Sequence, residues 1–391
     1  MKKLATSQLI PGMTVGSDVQ SYDNRTVLTK GTVLTDTLIT RLELYGILSV
    51  YIDDTAKVEA VREEEPAQTL PPAPESELSE DILSKVEQAE EDAGIREDDH
   101  TSYFEKVRAS REFKEFEDDY RRQKDSLAFT LNEMVEKNIQ VDAQLLIEGP
   151  LEMIKRAGSR SDIMDMLHLM RGYDDATYTH CMNVALLNYV LAGWMGWDEE
   201  RQTTALASGL FHDVGKLRIP KEILLKPARL DADEFATVRK HSIFGYELLK
   251  RQNVSDSIRN ATLMHHERYD GSGYPLHLKG EQIDPYARLT SISDVYDAMT
   301  SARVYRGPLC PFRVVEIFED EGLEKYDPDM ILTFLKNVCN TYLQTRCRLS
   351  DGRIGTIIML HPDRFSRPVV DCDGTIVDLR EHKDLSIDAL I

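Results

Sequence analysis

The chain lacks a long apolar run and any excess of positive charge. Its longest apolar stretch, Val184 to Trp197, contains Asn188 and is too short to cross a bilayer, so we interpret it as a buried helix. The net charge of the 391 residues is −21. This acidity argues against DNA binding, because a general nucleic-acid binder needs a basic stripe. An anionic substrate would therefore need a local basic patch on an acidic protein.

Cysteine is also sparse, and its spacing argues against a disulfide framework or a thiolate metal site. The five cysteines are odd in number and none forms a C-x-x-C pair. We therefore expect free thiols in a reducing cytoplasm. Gln8 and Pro11 interrupt any apolar segment after Lys2 and Lys3, so no secretory signal peptide is expected.

The order of local patterns predicts a mainly α protein with small β-containing modules at both ends. Residues 1–53 are expected to form a small N-terminal α/β accessory module. Within it, the β-prone runs 26–29 and 32–34 flank Lys30-Gly31 and predict a hairpin. Residues 54–125 are predicted to be an acidic, Pro-rich linker and a charged helix, with either a solvated connector or a dimerising helix pair as the role of that helix.

From residue 126 onward the pattern is first helical and then, near the C-terminus, typical of β-strands. Residues 126–345 carry helical signals, including Asp198 as an N-cap, and are predicted to be the helical catalytic domain. Residues 346–391 are predicted to be a β-rich C-terminal module, because Asp351-Gly352 and Asp373-Gly374 are hairpin dipeptides between β-prone runs.

Histidine and carboxylate side chains are concentrated in the predicted helical domain. The sequence has ten histidines, and four of them lie between residues 212 and 266 with Asp213 directly after the first. Imidazole and carboxylate together suit Fe, Mn, Zn or Ni better than Ca²⁺. Adjacent helical residues point about 100° apart, so His212 could bind one metal while Asp213 bridges to a second. Two such ions about 3.5–4 Å apart support in-line displacement at phosphorus, so the pattern predicts metal-assisted hydrolysis of a phosphate ester.

Several motifs resemble the HD-GYP group of the HD phosphohydrolase superfamily. The resemblance covers roughly residues 174–310 and lies in His212-Asp213 with Gly215-Lys216, His265-His266-Glu267, Asp270-Gly271, Gly273-Tyr274-Pro275, Asp294 to Thr300, and Arg303 to Arg306. It implies a bacterial, cytoplasmic phosphodiesterase that hydrolyses cyclic di-GMP to the linear dinucleotide, GMP or both.

The resemblance also implies roles for individual residues. Two divalent transition metal ions, with Fe or Mn expected, would be bound by His180, His212, Asp213, His241, His265, His266 and Asp294, with Asp213 shared between them. His212, Asp213 and Lys216 would be catalytic. Lys216, Arg303 and Arg306 would contact phosphate, and this would supply the local basic patch. Tyr274 is expected to bind substrate by stacking on guanine.

Other features of the resemblance leave alternatives open. Glu267 and Asp270 are expected to orient ligating histidines. The loop at Gly273-Tyr274-Pro275 could bind a protein partner or be a structural turn, and a homodimer is a further expectation. Some relatives hold a third metal through a Glu at the position of Ala176, which argues for two ions here. The alternative functions are hydrolysis of another cyclic dinucleotide and a non-catalytic, metal-containing signalling or scaffold protein.

Overall fold

A computed structural model describes most of the chain, which separates into two compact units, Met1–Thr101 and Ser102–Ile391. The described residues are 2–6, 9–10, 12–20, 26–34, 39, 42, 49–53, 103–170, 176–224, 226, 230–301, 309–321 and 323–391.

The N-terminal unit contains two short antiparallel strand pairs. Strand β1 (Lys2–Ala5) pairs with β4 (Ser49–Ile52), and β2 (Val19–Gln20) pairs with β3 (Thr26–Leu28). Ile39 is helical and almost fully buried. Apolar side chains of the strands, of the segments between them and of the helical residues Ile39 and Leu42 form a separate small core. Its members are Leu9, Val15, Val19, Leu28, Leu34, Ile39, Leu42, Val50 and Ile52.

The hairpin predicted for residues 26–34 is wrong. A turn does form at Lys30-Gly31, but β3 pairs with β2, and Val33 forms a bridge with Thr14. The reason is that the two flanks of the turn pair with earlier segments rather than with each other. The N–H of Lys30 donates to Asp18 Oδ1 at 2.6 Å, and the N–H of Gly31 donates to the carbonyl of Val15 at 2.7 Å.

The second unit begins with two helices, α1 (Tyr103–Ala109) and α2 (Arg111–Glu136). Ser110 separates them and caps α2 by accepting the N–H of Phe113 at 3.1 Å. The helix predicted here, with a solvated connector or a dimerising pair left open as its role, is not solvated on one face of α2. That face is buried against the core through Phe113, Phe116, Tyr120, Leu127, Leu131 and Met134.

The helices that follow build the core that carries the predicted ligands. They are α3 (Ala143–Ala157), α4 (Arg160–Met170), α5 (Ala176–Trp194), α6 (Glu199–Phe211), α7 (Lys221–Leu224), α8 (Ala232–Arg239), α9 (His241–Leu249), α10 (Asp256–Met264), α11 (Pro285–Thr300), α12 (Pro311–Glu321) and α13 (Pro328–Thr341). Asp198 caps α6 as predicted, by accepting the N–H of Arg201 at 2.9 Å. Asp231 and Glu234 form a capping box at α8.

The C-terminal strands form one antiparallel sheet in the order β8–β7–β6–β5–β9: β5 (Arg346–Leu349), β6 (Ile354–His361), β7 (Arg364–Cys372), β8 (Thr375–Asp378) and β9 (Ile387–Leu390). The hairpins predicted at Asp351-Gly352 and Asp373-Gly374 connect β5 to β6 and β7 to β8. Arg367 on β7 ties the sheet to α12 through Glu316.

The predicted fold class, mainly α with small β-containing segments at both ends, is confirmed. All five cysteines are free thiols. None of the helices in the described part of the chain is long and apolar enough to span a membrane.

Candidate metal centre

Three histidines lie at helix ends and are oriented in the same way. His212 follows the last residue of α6, His265 follows the last residue of α10, and His241 is the first residue of α9. Each ring donates its Nδ1 hydrogen to the carbonyl three residues earlier, at 2.8, 2.9 and 2.7 Å respectively. A neutral imidazole that donates from Nδ1 has its lone pair on Nε2, so the backbone fixes the tautomer needed to bind a metal.

The Nε2 atoms of these three rings converge on Asp213. Those of His212 and His241 each lie 3.4 Å from a carboxylate oxygen of Asp213, and that of His265 lies 3.9 Å away. Lys216, on the short 3₁₀ helix Val214–Arg218, donates from Nζ to the same carboxylate. Burial alone would raise the pKa of Asp213, but Lys216 and His212 outweigh it and hold that pKa well below its usual range. Asp213 is therefore an anion in the protein interior.

His180 and Asp294 close the other side of the centre. His180 lies on α5 and Asp294 on α11, with 3.0 Å between Nε2 and Oδ1. The second nitrogen of His180 donates to Asp297 Oδ2 at 2.7 Å. Burial lowers the pKa of His180, but hydrogen bonds to Asp294 and Asp297 raise it to about 10. His266 completes the set, with Nδ1 3.8 Å from Asp294 Oδ2.

The candidate ligands form two groups of three, with the donor atoms within each group no more than 4.8 Å apart: His180, His212 and Asp213, and His241, His265 and His266. Burial and neighbouring histidines lower the pKa values of His265 and His266 well below the usual range, so both rings are neutral. A neutral imidazole has the lone pair that a metal requires.

The buried atoms themselves indicate a cation. Among the described residues, His212 Nε2 and Asp213 Oδ1 are both buried and have no hydrogen-bond partner. A buried polar atom without a partner costs about 1–3 kcal/mol, and more when the group is charged. A divalent metal would satisfy an imidazole lone pair and a carboxylate oxygen together, so the residues present fit such an ion.

Glycines allow these elements to approach closely. A Cβ atom at Gly209 on α6 would lie 2.5 Å from Ala185 Cα on α5. A Cβ atom at Gly215 would lie only 1.8 Å from the carbonyl oxygen of His241. Real Cβ atoms do not come this close, so a side chain at Gly209 would push α6 away from α5, and one at Gly215 would push the turn after Asp213 away from His241.

The residues predicted to bind substrate are only partly described. Lys216 lies beside Asp213. Arg303 and Arg306 lie outside the described residues, and so does the side chain of Ala176, the position of the third-metal Glu in some relatives. Tyr274 stacks on the ring of His266, with 4.7 Å between centroids, and the guanidinium of Arg239 lies 4.1 Å from the Tyr274 centroid. Tyr274 thus contacts a candidate ligand directly.

The two carboxylates that were expected to orient histidines make other contacts instead. Glu267 does not orient a histidine; it is buried and accepts the backbone N–H groups of Leu276 and Leu278 at 2.6 and 3.0 Å. Asp270 accepts from Ser272 within the loop. The carboxylate that orients a histidine is Asp297, which the sequence interpretation did not assign. Its spacing of three residues from Asp294 on a helix was the available signal.

Two family models match the chain. Residues 1–140 match a domain of unknown function, DUF3391, and residues 152–330 match the HD domain. All seven candidate ligands fall within the second range. Residues 152–330 are therefore similar to HD domains. This confirms the resemblance to the HD phosphohydrolases that the sequence motifs indicated.

Curated relatives match up to half of the chain. A cyclic di-GMP phosphodiesterase of Pseudomonas aeruginosa is 37% identical over 199 residues, which cover 50% of this chain and 48% of the relative. A cyclic di-GMP phosphodiesterase of Thermotoga maritima is 33% identical over 178 residues, 45% of this chain and 48% of the relative. A 3′3′-cGAMP-specific phosphodiesterase of Vibrio cholerae is 38% identical over 164 residues, 41% of this chain and 38% of the relative. The chain thus spans half or less of the length of these relatives.

Proposed function

We propose that the protein is a metal-dependent phosphodiesterase that hydrolyses cyclic di-GMP to the linear dinucleotide, GMP or both. The observation that carries the proposal is the convergence of seven ligand side chains at one buried place. Three of the rings have their tautomer set by backbone carbonyls, and the anionic Asp213 lies among them.

Two divalent ions, Fe or Mn, would occupy the centre. One would be held by His180, His212, Asp213 and Asp294, and the other by Asp213, His241, His265 and His266. When bound, such ions stabilise negative charge on phosphoryl oxygens and activate water as a nucleophile.

The chain's own groups prepare the site for this chemistry. The backbone carbonyls that accept from Nδ1 select, for the neutral rings of His212, His241 and His265, the tautomer whose lone pair is on Nε2. Lys216 keeps Asp213 ionised and places one positive charge beside it. Burial lowers the pKa of Lys216, but Asp213 more than offsets this and raises it, so the ammonium is charged at neutral pH. A charged ammonium at this position could contact an anionic phosphate, and we assign Arg303 and Arg306 the same role from the family resemblance.

Cyclic di-GMP is the proposed substrate because two relatives that match part of this chain carry that activity in their names. A second candidate is a mixed cyclic dinucleotide, which is favoured by the 38% identity to a 3′3′-cGAMP-specific phosphodiesterase. Both substrates contain the same phosphodiester, so the ligand set cannot distinguish them.

One assay tests the proposal and separates the candidates. Chelator-treated protein is reloaded with Mn²⁺ or Fe²⁺ and incubated with cyclic di-GMP, 3′3′-cGAMP and cyclic di-AMP, and the products are resolved by chromatography. We expect metal-dependent cleavage with cyclic di-GMP as the best substrate. A preference for 3′3′-cGAMP would favour the second candidate. Metal binding without cleavage of any of the three would favour a signalling or scaffold protein.

A further inference from the structure

A chain of buried hydrogen bonds connects α2 to a candidate metal ligand. The hydroxyl of Tyr120 on α2 lies 2.6 Å from Asn183 Oδ1 and 3.0 Å from the carbonyl of Thr179, both on α5. Asn183 Nδ2 donates to Asp297 Oδ1 at 2.9 Å. The other oxygen of Asp297 accepts from His180 Nδ1 at 2.7 Å. Tyr120, Asn183 and Asp297 are each 5% exposed or less.

The order of donors and acceptors along this chain has one consistent solution. Burial raises the pKa of Tyr120 well above its usual range, so the phenol keeps its hydrogen. A phenol that donates to Asn183 fixes the amide with its oxygen toward α2 and its NH₂ group toward Asp297. Turned the other way, the amide oxygen would face the Asp297 carboxylate, and two acceptors would meet without a hydrogen between them. The Tyr120 hydroxyl and the Asp297 carboxylate therefore favour the same orientation of the Asn183 amide.

The consequence reaches the metal centre through Asp297. An Asp297 carboxylate held by the NH₂ of Asn183 presents its second oxygen to His180 Nδ1. The Nδ1 hydrogen is thereby fixed, and Nε2 faces Asp294 and Asp213, at 3.0 and 3.8 Å. For His180 this arrangement replaces the backbone carbonyl that orients His212, His241 and His265.

We propose that Tyr120 and Asn183 are positioning residues for the metal ion held by His180. The inference rests on the dinuclear centre of the proposed function and adds to it a residue outside the HD domain. Tyr120 lies within residues 1–140, which match the separate model of unknown function, whereas residues 152–330 match the HD domain. A helix of the N-terminal match therefore takes part in forming the site.

This placement makes the His180 side of the centre depend on the position of α2. A displacement of α2 along α5 by about one hydrogen-bond length would separate the phenol from Asn183. The affinity of the ion at His180 would then fall, while the ion at His241, His265 and His266 would be unaffected.

The test is titration of full-length, chelator-treated protein with Mn²⁺ by calorimetry, comparing Tyr120→Phe with the wild type. The variant keeps the ring and removes only the hydroxyl. We expect two classes of site in the wild type and an affinity about fivefold lower for one class in Tyr120→Phe, the size expected for one neutral hydrogen bond. Tyr189→Phe, a hydroxyl deletion on the same α5 helix, is the matched control and should leave both classes unchanged.

A second variant tests the same chain of hydrogen bonds at a different residue. Asn183→Leu should weaken the same class of site by about tenfold, as expected for a group that orients a ligand. The double variant should be no weaker than Asn183→Leu alone, because both groups act through one chain of bonds. The ¹⁵N chemical shifts of the His180 ring in the metal-free protein should also change in both variants and not in Tyr189→Phe.

The outcomes separate this inference from the proposed function. If the wild type binds no Mn²⁺, the dinuclear centre is wrong and the inference fails with it. If the wild type binds Mn²⁺ and both variants bind each class of site within twofold of it, only the positioning role is wrong. Equal weakening of both classes would also contradict it, because that result indicates general destabilisation.

Discussion

Substitution of Gly215 by alanine should damage the centre without removing any ligand. The new Cβ atom would lie 1.8 Å from the carbonyl oxygen of His241 and 2.5 Å from the backbone nitrogen of Gly245. Since a Cβ atom needs at least 3.0 Å, the 3₁₀ helix Val214–Arg218 and α9 must separate by more than an ångström. Both neighbours are backbone, so no side-chain rotation relieves the contact. We expect a loss of about 1–3 kcal/mol in the free energy of unfolding, as for overpacked cores.

The metal centre should respond more strongly than the fold. Asp213 lies two residues before Gly215, and its Oδ1 lies 3.4 Å from Nε2 of His241. A shift of an ångström between them is large compared with the tolerance of a metal site, so Mn²⁺ affinity should fall at least about tenfold. Urea unfolding and calorimetric Mn²⁺ titration measure the two effects.

Gly149→Ala is the matched control for this substitution. Its Cβ atom would meet only the side-chain end of Gln123, which can rotate away, and α3 gains about 1 kcal/mol in helix propensity. Gly149→Ala should therefore be neutral or stabilising and should bind Mn²⁺ normally. Wild-type stability and metal affinity in Gly215→Ala would refute the packing argument.

The remaining predictions concern the loop after the paired histidines and the proposed phosphate contacts. Tyr274→Ala should weaken Mn²⁺ binding about tenfold by releasing the ring of His266, whereas Tyr274→Phe should retain it; equal effects of the two would exclude stacking as the cause. Glu267→Ala should cost about 2 kcal/mol in unfolding free energy and speed amide exchange at Leu276, and unchanged exchange there would contradict this. Arg303→Ala should keep its full metal content and lose about 100-fold in kcat/KM for cyclic di-GMP, and loss of metal instead would show that its proposed role is wrong.

The sequence predicted which side chains come together at the candidate centre better than it predicted the residues that hold them in place. Histidine and aspartate at these spacings indicated a metal site, because the ligand types limit the metals that suit them. The mainly helical fold followed from periodicity and from caps such as Asp198, which depend on a few adjacent residues. Both kinds of signal are local in the chain.

The hydrogen bonds that hold the candidate ligands in place join residues that are far apart in the chain. Asp297 reaches His180 across more than 100 positions, and Tyr120 reaches Asn183 from a segment that was expected to be either a solvated connector or a dimerising helix pair. A buried face on a strongly charged helix is hard to recognise, because its apolar residues are widely spaced among acids and bases. The wrong hairpin prediction at Lys30-Gly31 has a similar cause. A turn forms there as predicted, but the N–H of Gly31 donates to the carbonyl of Val15, on an earlier segment.

The central claim is metal-dependent hydrolysis at the HD doublet, and one measurement tests it most directly. The turnover of cyclic di-GMP by Mn²⁺-loaded wild type is compared with that of a His212→Ala, Asp213→Ala double variant, with metal content and circular dichroism recorded on the same samples. The proposal predicts a folded variant without bound metal and without detectable turnover. Undiminished cleavage of cyclic di-GMP by the double variant would contradict it.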